Sequence, residues 1–140
     1  MDFKQINELP DYLDFNTLND WFQKVLAYSE SINEYDYPIA ESIADAFYEL
    51  AIRQWHLYKL IDTAISERID KWIKRIWYYR TADLVETICG IILMLGIKNS
   101  LYFLKQSLNS EKDANIECKI KRTITEMEER GCHPYWSLRK

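Results

Sequence analysis

Glu41, Asp45 and Glu49 stand four residues apart with no lysine or arginine between them. On a helix that spacing gathers three carboxylates on one side, opposite Ile43, Phe47 and Leu50. Such a row is built for one kind of chemistry, the capture of a cation. Like charges at this spacing repel one another, so a positively charged partner would relieve the helix. The preceding segment adds Glu30, Glu34 and Asp36, interleaved with Tyr35 and Tyr37, and Tyr48 falls within the row itself. Acidic groups beside rigid aromatic rings form the kind of surface that faces a basic protein. The candidate partner-binding set is therefore Glu30, Glu34, Tyr35, Asp36, Tyr37, Glu41, Asp45, Tyr48 and Glu49.

A second constellation has the opposite sign. Lys71, Lys74, Arg75 and Arg80 are set among Trp72, Trp77, Tyr78 and Tyr79. Basic and aromatic residues together can hold single-stranded nucleic acid through phosphate pairing and base stacking. Helical phase weakens this reading, because Trp72 and Ile76 share a face with Ile69 and Ile73. A pI near 5.2 also argues against a phosphate binder. Nucleic-acid contact through the Lys71–Arg80 face stays the alternative.

Catalysis finds little support. Acid–base and nucleophilic mechanisms recruit histidine or paired carboxylates beside a defined partner, and only His56 and His133 are present. Cys132 and His133 could give a metal two ligands, whereas zinc wants about four at recognisable spacing. There is no glycine-rich phosphate loop and no nucleophile elbow. The sequence thus predicts no catalytic residue, no cofactor and no metal. Cys89, between Ile88 and Ile91, reads as a small buried apolar residue.

The elements that would carry these residues are helical. With 140 residues, 48% apolar and only three glycines and three prolines, the chain reads as one all-α domain. Residues 1–37 give a lead-in, a first helix capped by Asn16 with Leu18, Trp21, Phe22, Val25 and Leu26 inward, and an acidic linker from Ser29. Pro38 suits the first turn of the next helix. Breaks are expected near Arg53–Gln54 and Thr63–Ser66, with Ser66 capping a helix through Ile76. Thr81, Asp113, Gly96 and Gly131 mark further helix ends.

Charge is unevenly spread. Residues 1–50 hold 11 acids and 2 bases, and residues 51–140 hold 11 acids and 16 bases, so a net −9 precedes a net +5. Such asymmetry steers partners rather than setting a fold. No cationic start followed by an apolar run opens the chain, so no secretory signal is expected. The apolar stretch from Gly90 to Ile97 is shorter than the roughly 20 residues that span a bilayer, so no membrane segment is expected. Three cysteines, Cys89, Cys118 and Cys132, fit reduced thiols in a cytoplasmic protein better than a disulfide framework.

An internal similarity organises the rest. His56–Ser66 followed by Ile69–Arg75 reads as one helical hairpin, and Ser100–Ser110 followed by Ile116–Arg122 as its copy. Leu57 matches Leu101 and Ile73 matches Ile120, with the length difference falling in the turn after Ser110. Periods in this range belong to stacked helix pairs. The run Ile92, Leu95 and Gly96, then Leu101 and Leu104, then Asp113 and Ile116, resembles the HEAT-repeat pattern. That resemblance covers residues 81–130 well and 40–80 more loosely, and it implies two repeat units, 38–80 and 81–131, in a short array. The chain lacks the first-helix proline and the usual arginine of that pattern, which leaves an irregular helical bundle as the alternative. Residues 132–140 would form a tail, either strapped over the last hairpin or binding a partner.

In size, charge and style the chain resembles bacterial immunity proteins of contact-dependent growth inhibition and related polymorphic toxins. The resemblance implies a non-catalytic antidote that binds one basic toxin, commonly a nuclease, one-to-one and covers its active site. An adaptor or regulatory subunit is the other class.

Overall fold

Four aspartates and one threonine set where the helices begin in the computed structural model, which describes residues 3–131. Each side-chain oxygen accepts from a first-turn amide that would otherwise lack a partner. Asp14 opens α2 (Phe15–Ser31), accepting from the Thr17 amide at 2.8 Å. Asp36 opens α3 (Tyr37–His56), and Asp62 opens α4 (Thr63–Ile76). Thr81 opens α5 (Ala82–Leu95) and Asp113 opens α7 (Ala114–Glu129), with α6 at Lys98–Leu108 between them. A four-residue α1 (Lys4–Asn7) precedes them, and a 3-10 turn at Trp77–Tyr79 follows α4. The expected caps at Thr81 and Asp113 hold, as do the left-handed stops at Gly96 and Gly131. Asp14 replaces the expected Asn16, and Asp62 replaces Ser66. In both cases a carboxylate a few residues upstream reaches the free amides first.

The helices form two layers. α2, α4 and α6 succeed one another in one, and α3, α5 and α7 in the other. α2 packs on α3 and α6 on α7, so consecutive hairpins stack side by side, while α1 lies against α3. The described residues are all-α, with seven α-helices and no strand. Among them no helix is long and apolar enough to cross a membrane. The core runs between the layers through Leu18, Phe22, Phe47, Leu50, Ile73 and Ile92, all fully buried.

The duplication seen in the sequence is not matched helix for helix. α3 runs unbroken through Arg53 and Gln54, and the chain leaves helix only over 57–62. Leu57–Asp62 is therefore loop where its sequence counterpart in α6 is helix. Ile69–Arg75 and Ile116–Arg122 are both helical, but they lie in opposite layers. Among the described residues, five α-helices follow the linker. Across the boundary expected at 81, α3 packs on α5 and α4 on α6, so the two expected units are not separate bodies. The physical reason is that Arg53 and Gln54, polar enough to suggest a break, donate side-chain hydrogen bonds within the fold. Arg53 donates to the Leu9 and Pro10 carbonyls, and Gln54 Nε2 donates to the Lys59 carbonyl at 2.8 Å.

Candidate protein-binding face

α3 commits Ile43, Phe47 and Leu50 to the core, so its opposite side faces solvent. Glu41 and Asp45 are exposed there, and Tyr48 and Glu49 are half-buried. The three carboxylates stand in different circumstances. Glu41 accepts a 2.6 Å hydrogen bond from the Tyr37 hydroxyl, which holds that phenol's proton and raises its pKa. Glu49 pairs with Arg53 one turn on, at 3.0 Å. Asp45 makes no hydrogen bond or ion pair among the described residues. Burial in a groove of about 240 Å³ lined by Phe3, Lys4, Asn7 and Ser42 lifts its pKa, and the charges of Glu41 and Glu49 lift it further.

Beside this row Tyr48 lies across α5. It can do so because the crossing point is Gly90: a Cβ there would sit 2.7 Å from Tyr48 Cε2. Past Tyr48 a groove of about 420 Å³ runs between α5 and α7, walled by Thr87, Leu93, Arg122 and Glu126. Lys119 pairs across it with Glu86 at 3.1 Å. The face formed by α3, α5 and α7 thus carries the carboxylate row on α3 and, across the groove, Lys119 and Arg122 beside Glu126 on α7. Cys89 backs the groove with a thiol pushed up to about 11 by burial, so it stays protonated and acts as a small apolar filler.

The linker half of the expected binding set has internal work instead. Glu30 takes a two-pronged guanidinium from Arg68 of α4, Nε to Oε2 at 2.9 Å, and that bond holds its carboxyl below the usual range. Tyr35 is buried rather than presented; its hydroxyl donates to the Ser29 carbonyl at 2.7 Å, and Arg75 stacks on its ring at 4.6 Å. Asp36 is the cap of α3. Tyr37 bridges Glu41 and Thr81. Glu34 is exposed, in a shallow groove with Asn33, Arg75 and Tyr79. Glu30 and Asp36 thus stay exposed while serving as an ion-pair partner and a helix cap, and Tyr35 alone is buried.

The basic stretch buries its tryptophans, while Lys71, Lys74, Arg75 and Tyr78 stay exposed. Trp72 meets Phe47 edge-on at 5.0 Å and Trp77 meets Phe103 at 5.3 Å, so both indoles are core. Lys74 pairs with Asp70 at 2.8 Å, Arg75 donates to the Ile32 carbonyl, and Arg80 pairs with Glu111 at 2.6 Å. Burial works against the Glu111 carboxylate, but Arg80 and the amides of Asp113 and Lys112 outweigh it and lower its pKa.

Several important side chains escaped the sequence reading. Asp70 is buried, and its second oxygen accepts from Ser100 of α6 at 2.8 Å, tying two helices of one layer. Arg53 clamps the lead-in onto α3. Nothing in local spacing distinguishes these from surface polar residues; only an Arg-Gln pair interrupting an apolar row hinted at them. The expected tail, with Cys132 and His133, lies outside the described residues. Among those described, no three His, Cys, Asp or Glu side chains group as metal ligands. No family model, no curated protein and no solved structure matches this chain.

Proposed function

We propose that this protein is a non-catalytic binding module that docks one basic protein on the outer side of α3, through Glu41, Asp45, Tyr48 and Glu49. The observation carrying the reading is Asp45. Its carboxylate is partly desolvated between two like charges and has no internal hydrogen bond or ion pair among the described residues, although cations elsewhere in the fold neutralise Glu30, Asp70 and Glu111. A fold that neutralises those acids leaves a strained one on an exposed face. A cationic partner group would discharge that strain on binding. Charge would speed encounter, and Tyr48 beside its groove would slow release. The finer reading is an immunity protein, acting in the cytoplasm, whose partner is a toxin with a cationic active site. A plain adaptor would use the same face.

The test is a binding titration against a basic protein recovered with the chain from its producing cells. Charge reversal by Glu41→Lys and Asp45→Lys should weaken a one-to-one complex about a hundredfold, with much of the loss in a salt-sensitive on-rate. Unchanged affinity and on-rate would remove α3 as the contact. Toxicity of the partner alone, cancelled by co-expression of this chain, separates antidote from adaptor.

A further inference from the structure

Six arginines fall among the described residues, and five of them are tied down by a hydrogen bond or an ion pair. Arg122 is the exception: among the described residues it has neither. It is also the arginine that walls the groove between α5 and α7.

Its isolation follows from how the neighbouring carboxylates are used. Glu126 stands four residues on, at a spacing that permits a pair, but it is taken by Arg130 instead. Helices favour that choice, because an acid placed four residues before a base makes the better pair. Glu86, on the opposite wall, is taken by Lys119 at 3.1 Å. Both acids lining the groove therefore have a cation already, and the charge of Arg122 stays uncancelled. That charge, like the charge of Lys119, acts on the Cys89 thiol at the back of the groove.

The rest of the lining suits a small organic body. Leu93, Gly90, the Tyr48 ring and the protonated Cys89 supply apolar surface within about 420 Å³. Small-molecule sites of about 300–1,000 Å³ form between the helices of bundles, and this groove falls in that range. The Thr87 and Thr123 hydroxyls donate to carbonyls of their own helices. The Tyr48 hydroxyl makes no hydrogen bond among the described residues. Arg122 and Tyr48 are thus the lining side chains whose donors have no internal acceptor.

We propose that this groove binds a small carboxylic acid, as its monoanion, with an apolar or aromatic body. The carboxylate takes the two-pronged guanidinium of Arg122 and accepts from the Tyr48 hydroxyl, while the body lies along Tyr48, Gly90 and Leu93. Charge sets the class, since one uncancelled positive charge calls for one negative charge. A phosphate monoester would bring a second negative charge up against Glu86 and Glu126. A neutral ligand of the same shape would leave the guanidinium unanswered. The site goes beyond the docking of a basic protein and does not depend on it; Glu41, Asp45 and Glu49 take no part in its lining.

Benzoate, acetate, benzyl alcohol and phenyl phosphate titrated into the full chain, followed by arginine Nε–H and tyrosine ring nuclear magnetic resonance signals, test it. Benzoate should shift Arg122 and Tyr48 saturably, and about tenfold more tightly than acetate, which lacks the body, or phenyl phosphate. Benzyl alcohol should leave both signals unmoved. Arg122→Gln should weaken benzoate about tenfold with the thermal midpoint unchanged, since no internal partner is lost. Arg122→Lys should recover only part of that loss, because it keeps the charge without the fork. Benzoate shifts spread over every exposed cation, or an affinity unchanged in Arg122→Gln, would overturn the site. Equal affinity for phenyl phosphate would overturn the monoanion class. A lower thermal midpoint in ligand-free Arg122→Gln would overturn it too, by revealing an internal partner for that guanidinium. So would a dimer of the free chain that Arg122→Gln dissolves, by making a carboxylate of a second copy the occupant. None of these outcomes involves Glu41 or Asp45, so the α3 reading stands or falls apart from this site.

Discussion

The acidic outer side of α3 and the basic stretch from Lys71 to Arg80 carry opposite charge, and the fold treats them in opposite ways. In the basic stretch the cations at 74, 75 and 80 have a carboxylate or carbonyl partner, and both tryptophans are core. On α3, Asp45 has no such partner and its neighbours repel it. Sequence charge reports supply, whereas availability depends on what the tertiary structure has already consumed. A basic-aromatic run can thus be an internal fastener while a shorter acidic row keeps one carboxylate, Asp45, without a hydrogen bond or ion pair.

Asp70 and Asp45 make the contrast sharpest, since one residue type should respond with opposite sign. Asp70→Ala removes the shared partner of Lys74 and Ser100 in a buried position and should cost about 3 kcal/mol, read as a lower denaturant midpoint. Next in size, Gly90→Ala forces Tyr48 out of its crossing and should lose about 1 kcal/mol despite alanine's better helix propensity. In a Tyr48→Ala background the same change should instead stabilise, which a double-mutant cycle measures.

The two linkage tests are smaller and run in opposite directions with pH. Glu30 has a lowered pKa, so its bond to Arg68 contributes at neutral pH and is lost as pH falls through the carboxylate range. Because the pair is about half exposed, Glu30→Gln should cost only about 0.5 kcal/mol at pH 7 and nothing in acid. Asp45 has a raised pKa, so its ionised form weighs against the folded state above that pKa and the penalty disappears on protonation. Asp45→Asn should therefore raise stability by about 0.5 kcal/mol at pH 7, relieving two like-charge pairs, with the gain fading in acid. A stability loss in Asp45→Asn at neutral pH would reveal an internal partner and close the α3 face.

Much of the fold was legible from local signals. Pro38, Thr81, Asp113, Gly96 and Gly131 mark helix ends through capping chemistry that acts within a few residues. The inward rows of α2, α3, α5 and α7 follow from period alone, and so does the acidic side of α3. The candidate face was legible only in its α3 portion. Tyr35 was misread as surface and the pairing of Glu30 was missed because their partners, Arg75 and Arg68 some 40 residues on and the Ser29 carbonyl, are invisible to spacing.

Composition and periodicity by themselves determined an all-α chain with a charge dipole and one carboxylate row, because burial patterns and side-chain repulsion are local properties. Packing alone decided which helices share a layer, that the sequence repeat is not matched helix for helix, which charges cancel, and that Tyr12 stacks on His56. Those depend on contacts between residues far apart in the chain, where a guanidinium's reach and a ring's neighbours are set by the assembled helices.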